Sequence, residues 1–559
     1  MYNLLIGGAA GQGIETTAAV LEKTLKRSGY SVFTMRDFMS RVRGGHNFST
    51  IRFGTEVVRS HSDQLDGIIA LNEETVRLHR DKLNETGFIL CDTKLAIDDP
   101  RAIQLPMAEM ARTIGNPNVT GSIAVGAILK LFATGLDLVE PVLRESVKEQ
   151  YIPVNIQALQ EGFNAVEERF PHLEGPFADW MILSGNKALA LGALAAGLKF
   201  YSAYPMSPST SIMEYLAEKS GPAEIVVEQA EDEIAGINMA IGASFAGARA
   251  MTGTSGGGFS LKVEALGLAG MMEIPLVVVD AQRPGPVTGL PTRTEQSDLK
   301  FVISASQGEF PRMVIGLRHH ADAFTQTVRA LNLAEKYQIP IIILTDQYLA
   351  DASATVAPFE WEKIERVEPA DPSGIKGEYL RYRFTDDGIS PRLLPGQSEH
   401  LVIVDSDEHD ERGWITESAD MRQRMMDKRM KKLEKLKEEL LEPDFIGAED
   451  FETLLIGWGS TYGPTEEAVK LLNEGKGTAA GKTAALVFGD VFPLPERLLR
   501  KHAAQAKRII NIEQNATGQL AGLIRETTGI TVSANILKYD GRQIMAREIV
   551  QGVLAEVKK

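Results

Sequence analysis

Short runs made almost entirely of apolar residues recur along the chain, and each is followed by turn residues or by a segment with helical periodicity. Examples are YNLLIGG at residues 2–8, PLVVVDAQ at 275–282 and IPIIILTDQ at 339–347. A strand that is apolar on both faces is typical of a parallel sheet covered by helices on both sides. We therefore predict an α/β fold built from βαβ units.

The chain has 559 residues, too many for one hydrophobic core, and changes in pattern divide it into four ranges. Residues 1–175, 180–360 and 446–559 each alternate strand-like and helix-like segments, so we expect three α/β domains. Residues 361–445 have weaker periodicity and end in the charged run RQRMMDKRMKKLEKLKEELLEP. Opposite charges recur there at helical spacing, which predicts a solvated helix that connects two domains.

Charge, cysteine content and the amino-terminal sequence argue against several classes of protein. The net charge of -16 opposes binding to nucleic acid or to anionic lipid, since both need a basic surface. The one cysteine, Cys91, excludes an internal disulfide bond and argues against an iron–sulfur cluster held by this chain. The start, MYNLLIGGAAGQG, lacks the basic and long apolar regions of a secretion signal. We expect a cytoplasmic protein whose partners are small anions or another protein.

A glycine-rich turn, GGAAGQG, follows the first strand and opens a helix. Glycines let backbone amides approach an anion, and the helix amino terminus adds favourable partial charge, so Gly11 and Gly13 are candidate cofactor contacts. A tight turn without a ligand is the alternative. NAD is not favoured, because the strand-like run Val32-Phe33-Thr34 is followed by Met35 and Arg36 and not by the acidic residue that a dinucleotide site uses. The basic segment SRVRGGHN, which contains Arg43, fits a phosphate-bearing ligand or a domain interface equally well.

A second group of polar residues lies in the middle of the chain. The loop YPMSPST displays hydroxyl groups at a helix start, and its paired prolines, which a plain helix cap does not need, make Pro205 and Ser207 candidates. Further on, a strand runs into an acidic cluster and then into a helix rich in Gly and Ala, which permits close packing against a cofactor or a second subunit. Most of these acids need do no more than stabilise the helix amino terminus. The acidic residues are Glu228, Glu231, Asp232 and Glu233.

Four motifs, YPMSPST, EDEIAGINMAIGAS, TGTSGGG and EIPLVVVDAQRPGP, together resemble the pyrimidine-binding domain of 2-oxoacid:ferredoxin oxidoreductases. GGAAGQG and RVRGGHN are similar to the gamma domain of that family, here fused at the amino terminus. LLIGWGSTYG and INIEQNATGQL are similar to its transketolase-type carboxy-terminal domain. The resemblance covers nearly the whole chain, and the run DSDEHDERGWITE is most like the 2-oxoglutarate synthase type of alpha subunit.

The resemblance implies roles for individual residues. In thiamine enzymes, the glutamate that binds N1′ of the aminopyrimidine lies nine residues before a glycine in a small-residue helix, and Glu233 lies nine residues before Gly242. It implies that Glu233 is catalytic, with Glu228 and Glu231 as fallbacks. Arg283 would bind the substrate carboxylate through two convergent donors, the alternative being a surface ion pair. The remaining candidates are Ser207, Thr288 and Thr292 for substrate, and Pro205, Thr254 and Ser255 for cofactor.

The resemblance also implies cofactors and partners. Thiamine diphosphate would be shared with a beta subunit that carries Mg²⁺ and a [4Fe–4S] cluster, because this chain has no convincing GDG segment for the metal. Gly489-Asp490, for example, lacks the second glycine. Coenzyme A would be the co-substrate and ferredoxin the electron acceptor, in an (αβ)₂ heterotetramer. The gamma-like domain is the expected coenzyme A site, with Gly11, Gly13 and Arg43.

The choice of substrate and two rival functions stay open. The resemblance favours 2-oxoglutarate, whose distal carboxylate could meet Arg293 or Lys300, and the alternatives are pyruvate and branched-chain 2-oxo acids. One rival is a transketolase-like or dehydrogenase-E1-type thiamine enzyme that uses no ferredoxin. The other is a non-catalytic coenzyme A or nucleotide-binding protein built on GGAAGQG, which leaves the motifs in the middle of the chain unexplained.

Overall fold

A computed structural model of the chain describes residues 1–39, 45–475 and 482–558. The chain forms two compact units. Unit 1 comprises Met1–Ser184 and Asp351–Pro358, and unit 2 comprises Gly185–Ala350 and Phe359–Lys559. Each unit is therefore assembled from two separate stretches of chain.

The strands are, in chain order, β1 (Tyr2–Ala9), β2 (Ser31–Asp37), β3 (His46–Gly54), β4 (Leu65–Ala70), β5 (Leu83–Asp92), β6 (Ala102–Leu105), β7 (Met181–Ser184), β8 (Phe200–Ala203), β9 (Val226–Gln229), β10 (Ala250–Thr254), β11 (Leu276–Gln282), β12 (Met313–Gly316), β13 (Pro340–Asp346), β14 (Ser353–Val356), β15 (Asp444–Ile446), β16 (Thr453–Trp458), β17 (Thr483–Phe488), β18 (Asp490–Phe492), β19 (Arg508–Glu513) and β20 (Ala534–Leu537).

The α-helices are α1 (Ile14–Arg27), α2 (Glu73–His79), α3 (Met107–Ile114), α4 (Thr120–Leu131), α5 (Val139–Ser146), α6 (Ile152–Asn164), α7 (Gly185–Ala195), α8 (Thr210–Ala223), α9 (Glu233–Phe245), α10 (Gly256–Met271), α11 (Leu299–Ser304), α12 (His320–Tyr337), α13 (Gln347–Asp351), α14 (Ala419–Leu436), α15 (Tyr462–Glu474), α16 (Arg497–Gln505), α17 (Gln519–Thr528) and α18 (Ala546–Lys558).

The sheet of unit 1 has the order β6-β5-β4-β1-β3-β2-β14-β7. The strands from β6 to β1 are parallel, as their apolar runs predicted, whereas β3, β2, β14 and β7 pair antiparallel. The sequence HNFSTIRFG of β3 mixes polar and apolar residues, so this strand was not expected from the apolar runs. Unit 1 is therefore a mixed sheet rather than a pure series of βαβ units.

Helices α4 and α6 of unit 1 cross at two glycines. A Cβ atom on Gly126 would lie 2.0 Å from the carbonyl oxygen of Leu159, and one on Gly162 would lie 1.9 Å from that of Ile123. Real Cβ atoms do not approach a backbone oxygen so closely. The two helix backbones are consequently packed at a distance that only glycine permits at these positions.

Unit 2 contains two further sheets, with the orders β18-β12-β13-β11-β10-β8-β9 and β15-β17-β16-β19-β20. The strands of both sheets are parallel except for β18 and β15, which pair antiparallel at one edge. The predicted α/β class is confirmed. The domain ranges given above stay a prediction, and strand pairing crosses them where β14 joins the first sheet and β18 the second.

A single apolar core joins the two sheets of unit 2. It includes Phe259 of α10, Val278 of β11, Trp458 of β16, Phe488 of β17 and Leu520 of α17, each at most 1% exposed. Burial on this scale is the main stabilising term of a folded chain. The carboxy-terminal sheet is therefore packed firmly against the sheet that carries β11.

The charged run that we predicted to be a solvated helix forms helix α14, but the prediction that it is solvated is wrong for one of its faces. Lys428 and Lys432 are buried, and both donate to the carboxylate of Glu273. An acidic group on another element offsets the buried cations, which the pattern within the helix cannot show. The other buried residues of the helix are Met425, Arg429 and Leu436.

Membrane-spanning helices, metal ligands and the cysteine were all considered from the sequence, and the structure bears on each of them. In residues 1–39, 45–475 and 482–558, no helix is long and apolar enough to cross a membrane, and no group of three or more His, Cys, Asp or Glu is placed to hold a metal ion. Cys91 lies buried on β5, and burial raises the pKa of its thiol to about 11. A thiol in that state is a poor nucleophile.

Candidate active site

Glu233 begins helix α9, directly after β9 and a short turn. The carboxylate of Asp232 caps this helix by accepting a hydrogen bond from the backbone N–H of Ala235 at 2.7 Å. Glu233 itself is only 4% exposed, whereas Glu228 and Glu231 are exposed. Of the acidic residues singled out from the sequence, Glu233 is therefore the one that the fold places in a buried site.

The carboxyl group of Glu233 lies against the first turn of helix α10. A Cβ atom on Gly258 would lie 2.7 Å from Oε1 of Glu233 and 2.2 Å from Oγ1 of Thr254, so glycine leaves room for both groups. Oε1 of Glu233 and Oγ of Ser255 are buried and accept no hydrogen bond from the described residues. The structure thus brings Glu233 and Thr254 together at Gly258, and Ser255, the residue after Thr254, adds a second unpartnered oxygen atom.

The loop that follows β8 connects this cluster to Arg283, which follows β11. Oγ1 of Thr254 lies 3.9 Å from Sδ of Met206. The next residue, Ser207, accepts a hydrogen bond from Nη1 of Arg283 through its carbonyl oxygen at 2.8 Å. Because β8 and β11 each pair in parallel with β10, their carboxyl ends meet at one edge of the sheet, where α/β folds place their ligands.

The guanidinium group of Arg283 has donor capacity left over. It is half-buried, its Nε is buried without a hydrogen-bond acceptor among the described residues, and burial lowers its pKa. The described part of the chain supplies no carboxylate to it. A surface ion pair, the alternative considered from the sequence, is therefore not what the structure shows.

The other candidates of this region are less closely tied to the cluster. Thr288 is exposed and Thr292 half-exposed, and no hydrogen bond in the described ranges joins either to Glu233 or Arg283. Pro205 lies half-buried in the loop before Met206, where it restricts the backbone.

The two cations suggested for a distal carboxylate lie near the carboxy-terminal sheet of unit 2. Arg293 donates to the carbonyl oxygen of Thr292 at 3.5 Å, and its side chain packs on Gly541. Lys300 is exposed on α11, with its ammonium group beside Gly522 of α17.

A pair of carboxyl groups close to the start of α10 was not expected from the sequence. Asp280, on β11, is fully buried, and neither of its oxygens has a hydrogen-bond partner among the described residues. Burial and, to a lesser degree, the charge of Asp298 raise the pKa of Asp280 well above its usual range. Burial and the charge of Glu295 raise the pKa of Asp298 to about 7. The carboxyl of Asp298 lies against Gly256, where a Cβ atom would be 2.4 Å from Oδ2.

Unit 1 has a separate candidate site at the start of α1. Gly11 and Gly13 have backbone φ angles of 93° and 76°, which favour glycine, and both line a cavity of about 920 Å³. Hydroxyl groups of Thr16 and Thr120 and the side chain of Lys94 are also part of its wall. Arg43, the third residue suggested for this ligand, lies outside the described residues.

Two parts of the chain match described protein families. Residues 3–165 match "Pyruvate ferredoxin/flavodoxin oxidoreductase", and residues 191–428 match "Pyruvate flavodoxin/ferredoxin oxidoreductase, thiamine diP-bdg". The 2-oxoacid:ferredoxin oxidoreductase subunit alpha of Sulfolobus sp is 33% identical over 99% of this chain and 96% of its own length. The chain belongs to the 2-oxoacid:ferredoxin oxidoreductase alpha-subunit family. The resemblance stated from the sequence is thereby confirmed.

Two other members of this oxidoreductase family are similar. A solved structure of 2-oxoglutarate:ferredoxin oxidoreductase from Magnetococcus marinus, with 2-oxoglutarate, coenzyme A and succinyl-CoA bound, has a TM-score of 0.93 and 31% identity, covering 100% of this chain and 99% of that one. The 2-oxoglutarate oxidoreductase subunit KorA of Mycobacterium tuberculosis is 33% identical over 76% of this chain and 66% of its own length. Similarity along the whole chain disfavours a nucleotide-binding protein built on GGAAGQG alone.

The cluster around Glu233 fits the aminopyrimidine of thiamine diphosphate, the cofactor named for the family that residues 191–428 match. Ring nitrogen N1′ needs an acceptor or a shared proton, and the buried Oε1 of Glu233 has no other partner in the described residues. The absence of a side chain on Gly258 keeps this oxygen accessible. The residues around Glu233 thus fit the pyrimidine half of the cofactor.

Proposed function

We propose that this alpha subunit, together with a beta subunit, converts a 2-oxo acid, coenzyme A and oxidised ferredoxin into acyl-CoA, carbon dioxide and reduced ferredoxin, reversibly in principle. The observation that carries the proposal is the buried, unpartnered Oε1 of Glu233, held at the same sheet edge as the free donors of Arg283. 2-Oxoglutarate is the proposed substrate, because the solved relative binds it and a second relative is named for it.

Glu233 has the first role in this mechanism. When bound, thiamine diphosphate supplies the nucleophilic carbon and the electron sink for decarboxylation. Glu233 holds a proton at N1′ through Oε1, and its burial strengthens that interaction because little water competes for the oxygen. Thr254 and Ser255 add hydroxyl groups beside the same ring, and Pro205 fixes the loop that borders it.

Arg283 and Ser207 bind the reacting end of the substrate. Nη1 of Arg283 is fixed by the carbonyl of Ser207, which leaves Nε and the remaining N–H groups to form a two-donor contact with a carboxylate. The hydroxyl of Ser207 donates to the oxo group in our proposal. Thr288 and Thr292 contact the substrate only after a movement of their loop, since they are tied to neither group in the structure.

The beta subunit completes the enzyme in our proposal. A [4Fe–4S] cluster takes four cysteine ligands, and this chain has one cysteine. The cluster and the Mg²⁺ that holds the diphosphate are therefore assigned to the beta subunit, in an (αβ)₂ assembly that passes electrons to ferredoxin. We place the enzyme in the cytoplasm, where its net charge of -16 disfavours anionic membranes.

Coenzyme A is assigned to the cavity of unit 1. Backbone amides at Gly11 and Gly13 and the amino terminus of α1 suit a phosphate group, and a cavity of about 920 Å³ has the volume for a ligand of this size. Lys94 supplies one cation at the wall, and Arg43 stays a candidate outside the described residues.

The first experiment is anaerobic purification of the chain with its native partners. A second subunit together with iron, sulfide and thiamine supports the proposal, and activity is then compared on 2-oxoglutarate, pyruvate and branched-chain 2-oxo acids. A lone chain that contains neither cofactor contradicts it.

Two pairs of variants test the residues in that complex. Glu233→Gln should lower kcat by about 10²-fold to 10⁴-fold, whereas the exposed neighbour variant Glu231→Gln should stay near wild type. Arg283→Ala should lower kcat/KM for the 2-oxo acid by about tenfold to 100-fold, mainly through KM, and Arg283→Lys should recover part of the loss. Full activity of Arg283→Ala would remove the carboxylate role.

A further inference from the structure

Lys262 occupies a position of helix α10 that its neighbours mark as apolar. Phe259, Leu266 and Ala269 follow one another at helical spacing on the same buried face, and Lys262 lies between them with no exposure to solvent. A charged lysine is almost never fully buried unless a partner offsets the loss of its hydration. Its presence in this core therefore calls for a functional explanation.

The ammonium group of Lys262 makes two hydrogen bonds, and neither acceptor is a carboxylate. Nζ donates to the carbonyl oxygen of Glu233 at 3.1 Å and to Oγ1 of Thr252 at 3.0 Å. A Cβ atom on Gly236 would lie 3.5 Å from Nζ, so the ammonium also lies under the first turn of α9. Lys262 thus binds the main chain of the residue whose side chain is proposed to act on the cofactor.

The charged groups that act on Lys262 lie at the amino terminus of helix α9. Burial lowers its pKa to about 8, and the carboxylates of Glu233 and Asp232 oppose that effect. Strands β8 and β10, against which Nζ lies, present no charged side chain to it, and the phenol of Tyr201 on β8 is kept neutral by burial, which raises its pKa. On the other side of β10, strand β11 carries Asp280, and Asp298 precedes α11.

We propose that Lys262 is a positioning residue for Glu233: its ammonium anchors the first turn of α9 and places a positive charge beside the carboxylate that meets the thiamine pyrimidine. This inference rests on the proposed role of Glu233. It follows that the enzyme works best while Lys262 is protonated. A neutral amine retains hydrogen-bond donors but loses the charge, so activity should fall as the lysine titrates near pH 8.

The test compares pH profiles of the complete alpha–beta complex for wild type, Lys262→Met and Lys262→Gln. Lys219→Met, at an exposed lysine of α8 that pairs with Glu218, is the matched control. We expect Lys262→Met to lower kcat about tenfold at neutral pH and to change KM for the 2-oxo acid by less than about twofold. The difference between the wild-type and Lys262→Met profiles should narrow at alkaline pH, because the wild-type lysine then loses its charge and keeps only its hydrogen-bond donors.

Hydrogen exchange of backbone amides in the complex without added thiamine diphosphate gives a second readout. The first turn of α9 should exchange faster in Lys262→Met than in wild type or Lys219→Met, and Lys262→Gln should retain part of the protection through its amide donor. If Lys262→Met does not assemble with the beta subunit, the proposal is tested by hydrogen exchange of the wild-type complex alone. In that complex, the protection of the α9 amides against exchange must then decrease above about pH 8, after correction for the rise of the intrinsic exchange rate with pH.

The two proposals can fail separately. Wild-type activity in Glu233→Gln would overturn the role of Glu233 and leave Lys262 without a function to support. If Glu233→Gln is inactive while Lys262→Met keeps wild-type kcat, pH profile and exchange, the inference about Lys262 alone is overturned. A loss of activity in Lys262→Met that is equal at every pH would also overturn it, because the charge would then play no part.

Discussion

Removal of the carboxylate of Glu273 tests how the charged helix α14 is held in unit 2. Glu273 is 1% exposed, and Lys428 donates to its two oxygens at 2.7 and 2.8 Å. Lys432, fully buried, donates to Oε2, and Arg381 donates to the carbonyl oxygen of Glu273 at 2.8 Å. Burial alone would raise the pKa of Glu273, but Lys428, Lys432 and Arg381 together hold it well below its usual range.

The variant Glu273→Gln keeps the shape of the side chain and leaves two ammonium groups in a dry core without their counter-ion. Breaking a buried pair in this way costs about 3–5 kcal/mol. At roughly 2 °C per kcal/mol for a unit of this size, the unfolding midpoint of unit 2 should fall by about 6–10 °C. Calorimetry of the purified chain measures both quantities.

The control is an exposed ion pair of the same unit, Arg412 with Glu378, whose side chains are 50% and 61% exposed. Glu378→Gln should cost no more than about 1 kcal/mol. A triple variant, Glu273→Leu with Lys428→Met and Lys432→Met, should return to or exceed wild-type stability, because no unpaired charge is left. Equal costs for Glu273→Gln and Glu378→Gln would refute the reasoning.

The ion pairs of Glu273 with Lys428 and Lys432 also predict how the stability of unit 2 depends on pH. A carboxyl group whose folded pKa is lowered contributes stability that is fully present above its unfolded pKa of about 4.5 and is lost as the pH falls toward the folded value. The difference in the free energy of unfolding between wild type and Glu273→Gln should therefore shrink below about pH 4.5.

Three further perturbations have definite expected results. Asp280→Asn should raise the free energy of unfolding at pH 8 and change it little at pH 4, because the raised pKa of Asp280 makes its ionisation costly as the pH increases; guanidinium titrations measure this. Gly162→Ala should destabilise unit 1 by about 1–3 kcal/mol, since its Cβ would meet a carbonyl oxygen at 1.9 Å, while Gly221→Ala, with open space around it, should be near neutral in the same thermal assay. Lys262→Met should stabilise the folded chain by up to about 3 kcal/mol at pH 7, and this gain should disappear between about pH 8 and pH 10.5, as the unfolded lysine also loses its proton.

Much of the fold could be predicted because strands buried on both faces have a local signature. The runs that form β1, β11 and β13 are mostly apolar, so their burial and the parallel pairing of β11 with β13 could be predicted from the sequence. The pairing of β1 was predicted only in part, since it is parallel to β4 but antiparallel to β3. β3 was missed because its sequence mixes polar and apolar residues, and its place in the sheet depends on partners far away in the chain. Helix α14 was misjudged for a related reason, since the acid that offsets its lysines lies on another element.

Some residues of the candidate site could likewise be predicted from the sequence, and others could not. Glu233 and Arg283 were proposed from the resemblance to the family, Glu233 by its spacing from Gly242 and Arg283 by its place at the end of the strand PLVVVDAQ. Lys262 and Asp280 were not, although a signal exists: each is a single charged residue within an otherwise apolar helix face or strand. Only the three-dimensional neighbours show that such a residue is buried and which groups surround it.

The order of strands in unit 1 has a consequence for synthesis on the ribosome. β14 lies between β2 and β7, and it is made roughly 170 residues after Ser184, the last residue of β7. At 5–20 residues per second, translation from β7 to β14 takes roughly 10 to 30 s, and β2 has no partner on that side during this time. During that interval the nascent chain exposes an unpaired strand edge, the feature that most readily pairs with another polypeptide. Translation rate and chaperone supply should therefore affect the yield of this protein.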